Sequence, residues 1–357
     1  MEKSKVDKFI KEELKVIKWR MAMMKVLVTG GAGYIGAVLV RKLLKEGYEV
    51  RVLDSLKYGG ESIIDLLNNP KFEFVKGDIR DREIAYASTK NVDAVVHLAA
   101  IVGDPACSQF PVEAKEVNYD ASAQLYEESL KNNVGRFIFS STCSNYGKMD
   151  NSEKFLNEES ELKPLSLYAQ TKVEFEEYLL NQDKINVCKP VILRFSTVYG
   201  ISPRIRFDLT VNEFTKELAM GRELLVYGEQ FWRPYCHVDD LANSILFVLE
   251  SDEAKVEFNV FNVGSSDENY QKKMIINEIL KQVPDGMVKY VTVNEDPRDY
   301  RVNFDKIRDV LGFKVTKRVP DGINEIVTLI ENGFIINPDD DKYYNIIRVR
   351  KPAILEV

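Results

Sequence analysis

From Lys25 onward the chain alternates short β-branched apolar runs with longer stretches whose apolar residues recur at helical spacing. That alternation marks βαβ units and a parallel sheet. Strands are predicted at 25–29, 49–53, 72–76, 94–98, 136–140, 191–195 and 259–263. Helices are predicted between them, among others at 35–46, 111–132 and 167–181. Seven strands suit an α/β chain with a doubly wound parallel sheet of Rossmann type. The alternation lapses at 201–234 and again after residue 264, where Arg, Asp and aromatic residues replace a further βα series. These two insertions are expected to form a smaller α/β lobe over the carboxyl ends of the strands, where open α/β sheets bind ligands. The division expected is therefore 24–200 with 235–266 for the sheet domain, 201–234 with 267–335 for the lobe, and 336–357 for a tail. Within that tail the acidic stretch 338–342 reads as a solvated turn. Ahead of the first strand, Val6, Phe9, Ile10, Leu14 and Ile17 recur at helical spacing among charges, so residues 1–23 are predicted to form a helical extension.

Composition narrows the partners. The 49 Lys and Arg against 56 Asp and Glu leave a formal charge of -7, which gives no field to attract a nucleic acid. Cys107, Cys143, Cys188 and Cys236 are widely spaced, form no CxxC pair, and fit a reducing, cytoplasmic setting rather than a disulfide framework or a zinc site. No apolar run approaches the roughly 20 residues of a membrane span.

The first strand runs into Thr29-Gly30-Gly31-Ala32-Gly33-Tyr34-Ile35-Gly36, and a helical pattern begins within it. Gly31, Gly33 and Gly36 satisfy GxGxxG, while Gly30, Gly33 and Gly36 satisfy GxxGxxG. Such glycines allow a tight turn, close approach of backbone to a pyrophosphate, and close helix–strand packing, with the helix N-terminus facing the anion. Asp54, at the end of the second strand, stands where an acid binds the adenosine ribose. It would repel a 2′-phosphate and so favours NAD over NADP, although Lys57 nearby weakens that preference. Tyr168 and Lys172 stand four residues apart on one helix face. A nearby ammonium lowers a phenol's pKa, which would fit Tyr168 to act as a base. A tyrosine on an amphipathic surface helix is the plain alternative for the YxxxK pattern alone. His97 and His237 read as structural, without metal-ligand spacing.

Seven motifs follow in order: TGGAGYIG at 29–36, GDIRD at 77–81, HLAA at 97–100, SSTCSNYG at 140–147, YAQTK at 168–172, LRFSTVYG at 193–200 and RPYCHVDDLA at 233–242. With them the chain resembles the extended short-chain dehydrogenase/reductase family, in its nucleotide-sugar epimerase/dehydratase branch, from about residue 25 to 330. The resemblance implies NAD as cofactor and a nucleotide-diphosphate sugar as substrate. It implies a dinucleotide site at Gly30, Gly33, Tyr34, Ile35, Gly36, Asp54, Asp78, Ile79, Leu98, Ala99, Ala100, Asn118 and Lys172. It further implies that Thr142 hydrogen-bonds the reacting sugar hydroxyl, that Tyr168 takes its proton, and that Lys172 holds the nicotinamide ribose. A homodimer through helices 111–132 and 167–181 is implied as well, with Tyr126, Leu130, Phe175, Tyr178 and Leu179 as its apolar surface.

The sequence departs from that pattern after Thr142, where 4,6-dehydratases of this kind carry Asp and Glu and this chain has Cys143 and Ser144. Without both carboxylates, ordinary dehydration loses ground and a 4-epimerase leads. Cys143 is either a buried inert thiol or an acid–base group in an elimination, so a 4-oxidase or a cysteine-dependent dehydratase stays open. A non-catalytic dinucleotide scaffold is the remaining alternative, against which stand Thr142, Tyr168 and Lys172. Thr197 replaces the asparagine that 4-epimerases often place on the substrate phosphate. Arg206, Arg233 and Arg298 are the expected clamp on the substrate diphosphate, with Arg204 a further candidate, because guanidinium forks suit phosphate oxygens.

Overall fold

The computed structural model describes residues 24–149, 154–293 and 298–345. The helical extension predicted over 1–23 and the tail beyond 345 lie outside them. Twelve strands are described: β1 (Lys25–Thr29), β2 (Glu49–Asp54), β3 (Phe72–Lys76), β4 (Ala94–His97), β5 (Arg136–Thr142), β6 (Lys189–Phe195), β7 (Thr197–Tyr199), β8 (Leu224–Tyr227), β9 (Trp232–His237), β10 (Asn259–Val263), β11 (Asn269–Gln271) and β12 (Val288–Val291). The seven predicted strands are β1 to β6 and β10. They form one sheet in the order β10-β6-β5-β4-β1-β2-β3, every pair parallel. This is a Rossmann-type α/β fold, and its strand order reverses between β1 and β4.

Alternation along each strand sorts side chains to the two faces of the sheet. Val26, Val28, Val50, Val52, Val191 and Leu193 point to one face, beneath Leu39 of the Tyr34–Glu46 helix and Leu241 of the Val238–Glu250 helix. Leu27, Leu53, Val95, Phe137, Phe139 and Ile192 point to the other, beneath Ala85, Leu125, Tyr126, Phe175 and Leu179. Both faces are thus covered, as a parallel sheet requires.

The helix expected over 111–132 is interrupted. Pro111–Lys115 is α-helical, Glu116–Asp120 takes a π turn, and Ala121–Lys131 resumes the α-helix. Periodicity sees only the net stripe and misses one extra residue in a turn.

The two insertions meet. β8 pairs with β12 in parallel, and β9 lies between β7 and β11. A separate apolar core of Val211, Phe214, Leu218, Val226, Ile275, Ile279 and Ile323 fills this region. Thr197–Tyr199 and Trp232–His237 pair here and not with the large sheet. The acidic stretch 338–342 is not a free solvated turn. Pro338 is buried, and Asp339 pairs with Arg222 at 2.6 Å and with Lys216 at 3.2 Å, which docks this stretch on the smaller unit.

Candidate active site

The carboxyl ends of β1, β2, β4 and β5 open into one cleft of about 460 Å³. On its floor, Gly30 sits at φ +72°, and a Cβ there would lie 2.8 Å from the Ala99 amide nitrogen. A Cβ at Gly36 would meet the Gly30 carbonyl oxygen at 2.2 Å. Any side chain at either position would force the turn away from β4 or from its own helix. The helix then begins at Tyr34, and the unpaired N–H groups of its first turn form an anion-binding end.

Asp54 closes β2 with its carboxylate accepting from the Ala32 N–H at 3.0 Å and the Leu56 N–H at 2.8 Å. Burial pushes this carboxyl above its ordinary pKa, and the two backbone bonds oppose that rise. Asp78, ion-paired with Arg80 at 2.8 Å, and the buried Ile79 line the cleft beside it, as do Leu98, Ala99 and Ala100. A glycine cradle, a helix N-terminus and an acid at the second strand end fit a dinucleotide.

The candidate catalytic side chains come from β5 and the Leu167–Leu180 helix. Thr142 ends β5, lines the cleft, and accepts from the Ser144 N–H at 3.1 Å. Ser166 caps the helix by accepting from the Ala169 N–H at 3.2 Å, which sets Tyr168 in the first turn and Lys172 one turn later. Both line the cleft. Lys172 Nζ donates to the Ser140 carbonyl oxygen at 2.9 Å and lies 5.9 Å from the Tyr168 ring centre. Burial brings the Lys172 pKa down to about 8.

The phenol does not follow the sequence expectation. Burial raises the Tyr168 pKa, and Cys107 and Asp104 nearby raise it further. The cost of a buried phenolate outweighs the help of an ammonium already engaged by a carbonyl.

Beneath this pair runs a buried polar network. Arg194 Nη2 donates to Glu176 Oε2 at 2.7 Å, and the same carboxylate accepts from the Ser141 hydroxyl and from Asn145 Nδ2 at 2.8 Å. Glu176 stands one turn beyond Lys172, so the network fixes the rotation of the catalytic helix against β5 and β6.

Not every expected residue reaches the cleft. Asn118 sits in the π turn, where its side chain accepts from the Ile101 N–H at 2.8 Å and donates to the Ile101 carbonyl at 3.0 Å. It braces the cleft-lining strip after β4 from behind and is not itself part of the lining. Cys143 is 1% exposed, belongs to the apolar core, and donates its thiol proton to the Arg194 carbonyl oxygen at 3.2 Å. Burial drives its pKa upward, so it is neither a thiolate nor a cleft group.

Among the arginines, only Arg206 of the expected clamp lines this cleft. It is held by Asp208 through two bonds of 2.9 and 3.0 Å. Arg233 stacks 5.5 Å from the Tyr300 ring centre, and Arg298 pairs with Asp104 at 2.9 Å. Neither lines the cleft, and both act on the ionisation of Tyr300. Thr197 opens β7 opposite Tyr235 and does not line the cleft. His97 is buried, with Nδ1 2.7 Å from Thr29 Oγ1 and Nε2 2.8 Å from Ser122 Oγ.

Sequence reasoning missed Tyr58, Ser196 and Asn345 in the lining. No motif marks them, and Asn345 reaches the cleft from 287 residues beyond Tyr58, whose hydroxyl donates to its carbonyl at 3.2 Å.

A doubly wound sheet, a glycine cradle at its switch point and a Thr–Tyr–Lys set beside it define an NAD-binding dehydrogenase-type enzyme. The chain belongs to the NAD dependent epimerase/dehydratase family, whose model matches residues 26–264. It is 30% identical over 311 residues to a UDP-glucose 4-epimerase from Lactobacillus helveticus, covering 82% of this chain and 92% of that protein. It is 31% identical over 306 residues to a dTDP-glucose 4,6-dehydratase from Streptomyces niveus, covering 81% and 88%. Among solved structures, a UDP-glucuronic acid 4-epimerase from Bacillus cereus, in complex with UDP-glucuronic acid and NAD, matches with a TM-score of 0.78 at 27% identity, covering 87% of this chain and 99% of that one. The protein is an NAD-dependent nucleotide-sugar enzyme of the epimerase/dehydratase type. No described helix is long and apolar enough to cross a membrane.

Proposed function

We propose that the protein is a nucleotide-sugar 4-epimerase acting through a transient 4-keto sugar. NAD, when bound, supplies the hydride acceptor and later the hydride donor at C4. Thr142 holds the C4 hydroxyl, and Tyr168 takes its proton as the phenolate, a form that burial disfavours until cationic NAD and Lys172 stand beside it. Lys172 holds the nicotinamide ribose and keeps positive charge beside the phenol. The unit built from 201–234 and 267–335 is the sugar-nucleotide lobe, with Arg233 and Arg298 on the substrate diphosphate. The chain works as a homodimer.

The observation that carries the reading is the placement of Cys143. At the position where an elimination needs an acid in contact with the sugar, this chain turns a thiol into its core against the Arg194 carbonyl. The neighbouring Ser144 offers only a hydroxyl, near Tyr300 Oη at 3.4 Å. Oxidation and re-reduction at C4 need neither group.

Turnover of UDP- and dTDP-hexoses in deuterated water tests this. A 4-epimerase recycles its C4 hydride and leaves C5 unlabelled. Deuterium at C5 overturns the reading in favour of elimination, and a 4-keto product released with reduced NAD converts it to a 4-oxidase.

A further inference from the structure

Arg204 is 7% exposed and lines the dinucleotide cleft, yet among the described residues its Nε and Nη2 meet no hydrogen-bond partner. These two nitrogens form one edge of the guanidinium, the edge that takes two oxygens of a phosphate side by side. The plane is stacked 4.4 Å from the Tyr58 ring centre, so the edge is held and not free to swing. Leaving two buried donors of a cation unsatisfied is costly, and native structures avoid it unless a ligand completes them.

The acids nearby are already committed. Asp208 is bound at both oxygens by Arg206, and Asp54 by two backbone N–H groups. Burial, and then the charge of Arg206 beside it, brings the Arg204 pKa down to about 10, still charged at neutral pH.

The loop that carries Arg204 is pinned to the dinucleotide end of the cleft. Ser202 Oγ donates to the Tyr34 carbonyl at 2.6 Å, and Tyr34 Oη donates to the Gly200 carbonyl at 2.5 Å. Tyr34 opens the helix whose N-terminus faces the anion site. Arg233 and Arg298, by contrast, gather around Tyr300 and Asp104.

We propose that Arg204 binds the diphosphate of the dinucleotide through its Nε–Nη2 edge, so that the cofactor is held from both the glycine turn and the loop after β7. Asn345, whose Oδ1 is also buried without a partner among the described residues, lines the same cleft.

The proposal rests on the dinucleotide reading of the cleft, which binding of ADP-ribose to the wild-type chain checks independently of any variant. Calorimetry on the full chain freed of bound nucleotide then compares adenosine, ADP, ADP-ribose and UDP with wild type, Arg204→Met and Arg204→Lys. Arg204→Met should weaken ADP and ADP-ribose about tenfold or more while adenosine and UDP change by less than about twofold. Arg204→Lys keeps the charge but not the fork and should fall between. If Arg204→Met fails to fold, the lysine variant carries the test, with ADP weakened and adenosine unchanged. Unaltered ADP affinity, equal losses for adenosine and ADP, or a loss confined to UDP would each overturn the assignment, the last by moving Arg204 to the substrate diphosphate.

Discussion

The Cys143 thiol donates to the Arg194 carbonyl oxygen across 3.2 Å, within the core and away from the cleft that Thr142 lines. Two residues adjacent in sequence, Thr142 and Cys143, therefore face opposite environments, because the strand ends there and a short helical turn begins. Cys143→Ala should keep turnover within about threefold of wild type, a barrier change under ~1 kcal/mol. Its main effect should be a modest loss of thermal stability, of order 1 kcal/mol. Turnover that stops at the keto sugar in this variant would show the thiol at work in the chemistry.

Tyr168→Phe removes the proposed proton acceptor and leaves the ring packing. Activity should fall by about 100- to 10,000-fold, the range for a positioned acid–base group, with the melting temperature nearly unchanged. In the same protein, Lys172 should titrate near pH 8 before cofactor is added, followed by NMR of isotopically labelled lysines. A Lys172 resonance that titrates near the ordinary lysine value of about 10.4 would contradict its burial.

His97 gives the protein an acid sensitivity. Burial lowers its pKa to about 3, from an unfolded value of about 6.5. Between these values the unfolded chain binds a proton that the folded one refuses, so this residue's contribution to stability falls as pH drops from about 6.5 toward 3. His97→Gln should flatten that part of the curve of melting temperature against pH. An unchanged slope would place the acid sensitivity elsewhere.

The homodimer is expected to use only part of the surface named from sequence, since Leu130 and Tyr178 are partly exposed and the other three residues are not. Tyr126, Phe175 and Leu179 are fully buried within the chain, with Tyr126 Oη donating to the Cys188 carbonyl at 2.9 Å. Tyr119 and Tyr178, edge to face at 6.5 Å between ring centres and half-buried, are the aromatic residues these segments leave for a partner. Tyr178→Asp should shift a dimer toward monomer in light scattering at micromolar concentration. A wild-type chain that is already monomeric would refute the dimer.

The sheet and the polar residues at its strand ends are legible in the periodicity and motifs of the chain. Central strands such as β1, β4 and β6 are covered on both faces and so carry near-continuous apolar runs, visible without knowing what covers them, whereas β2 and the edge strand β3 interleave apolar with charged residues. Gly30, Gly36, Asp54, Tyr168 and Lys172 line the cleft as local backbone shape and helical spacing within short segments suggest, and Thr142 lines it as the family resemblance implies. Which way single side chains turn, and what distant segments bring to the cleft, depends on packing in three dimensions. Cys143 turned into the core because the short turn after β5 rotates it there, and the arginines separated because Arg206 met Asp208 while Arg298 met Asp104. The phenol's raised pKa is likewise a property of burial, which neighbours in space impose and spacing along the chain cannot encode. Arg204 became a candidate cofactor ligand only when Tyr58, Tyr34 and Asn345, drawn from three separate parts of the chain, closed around one cleft.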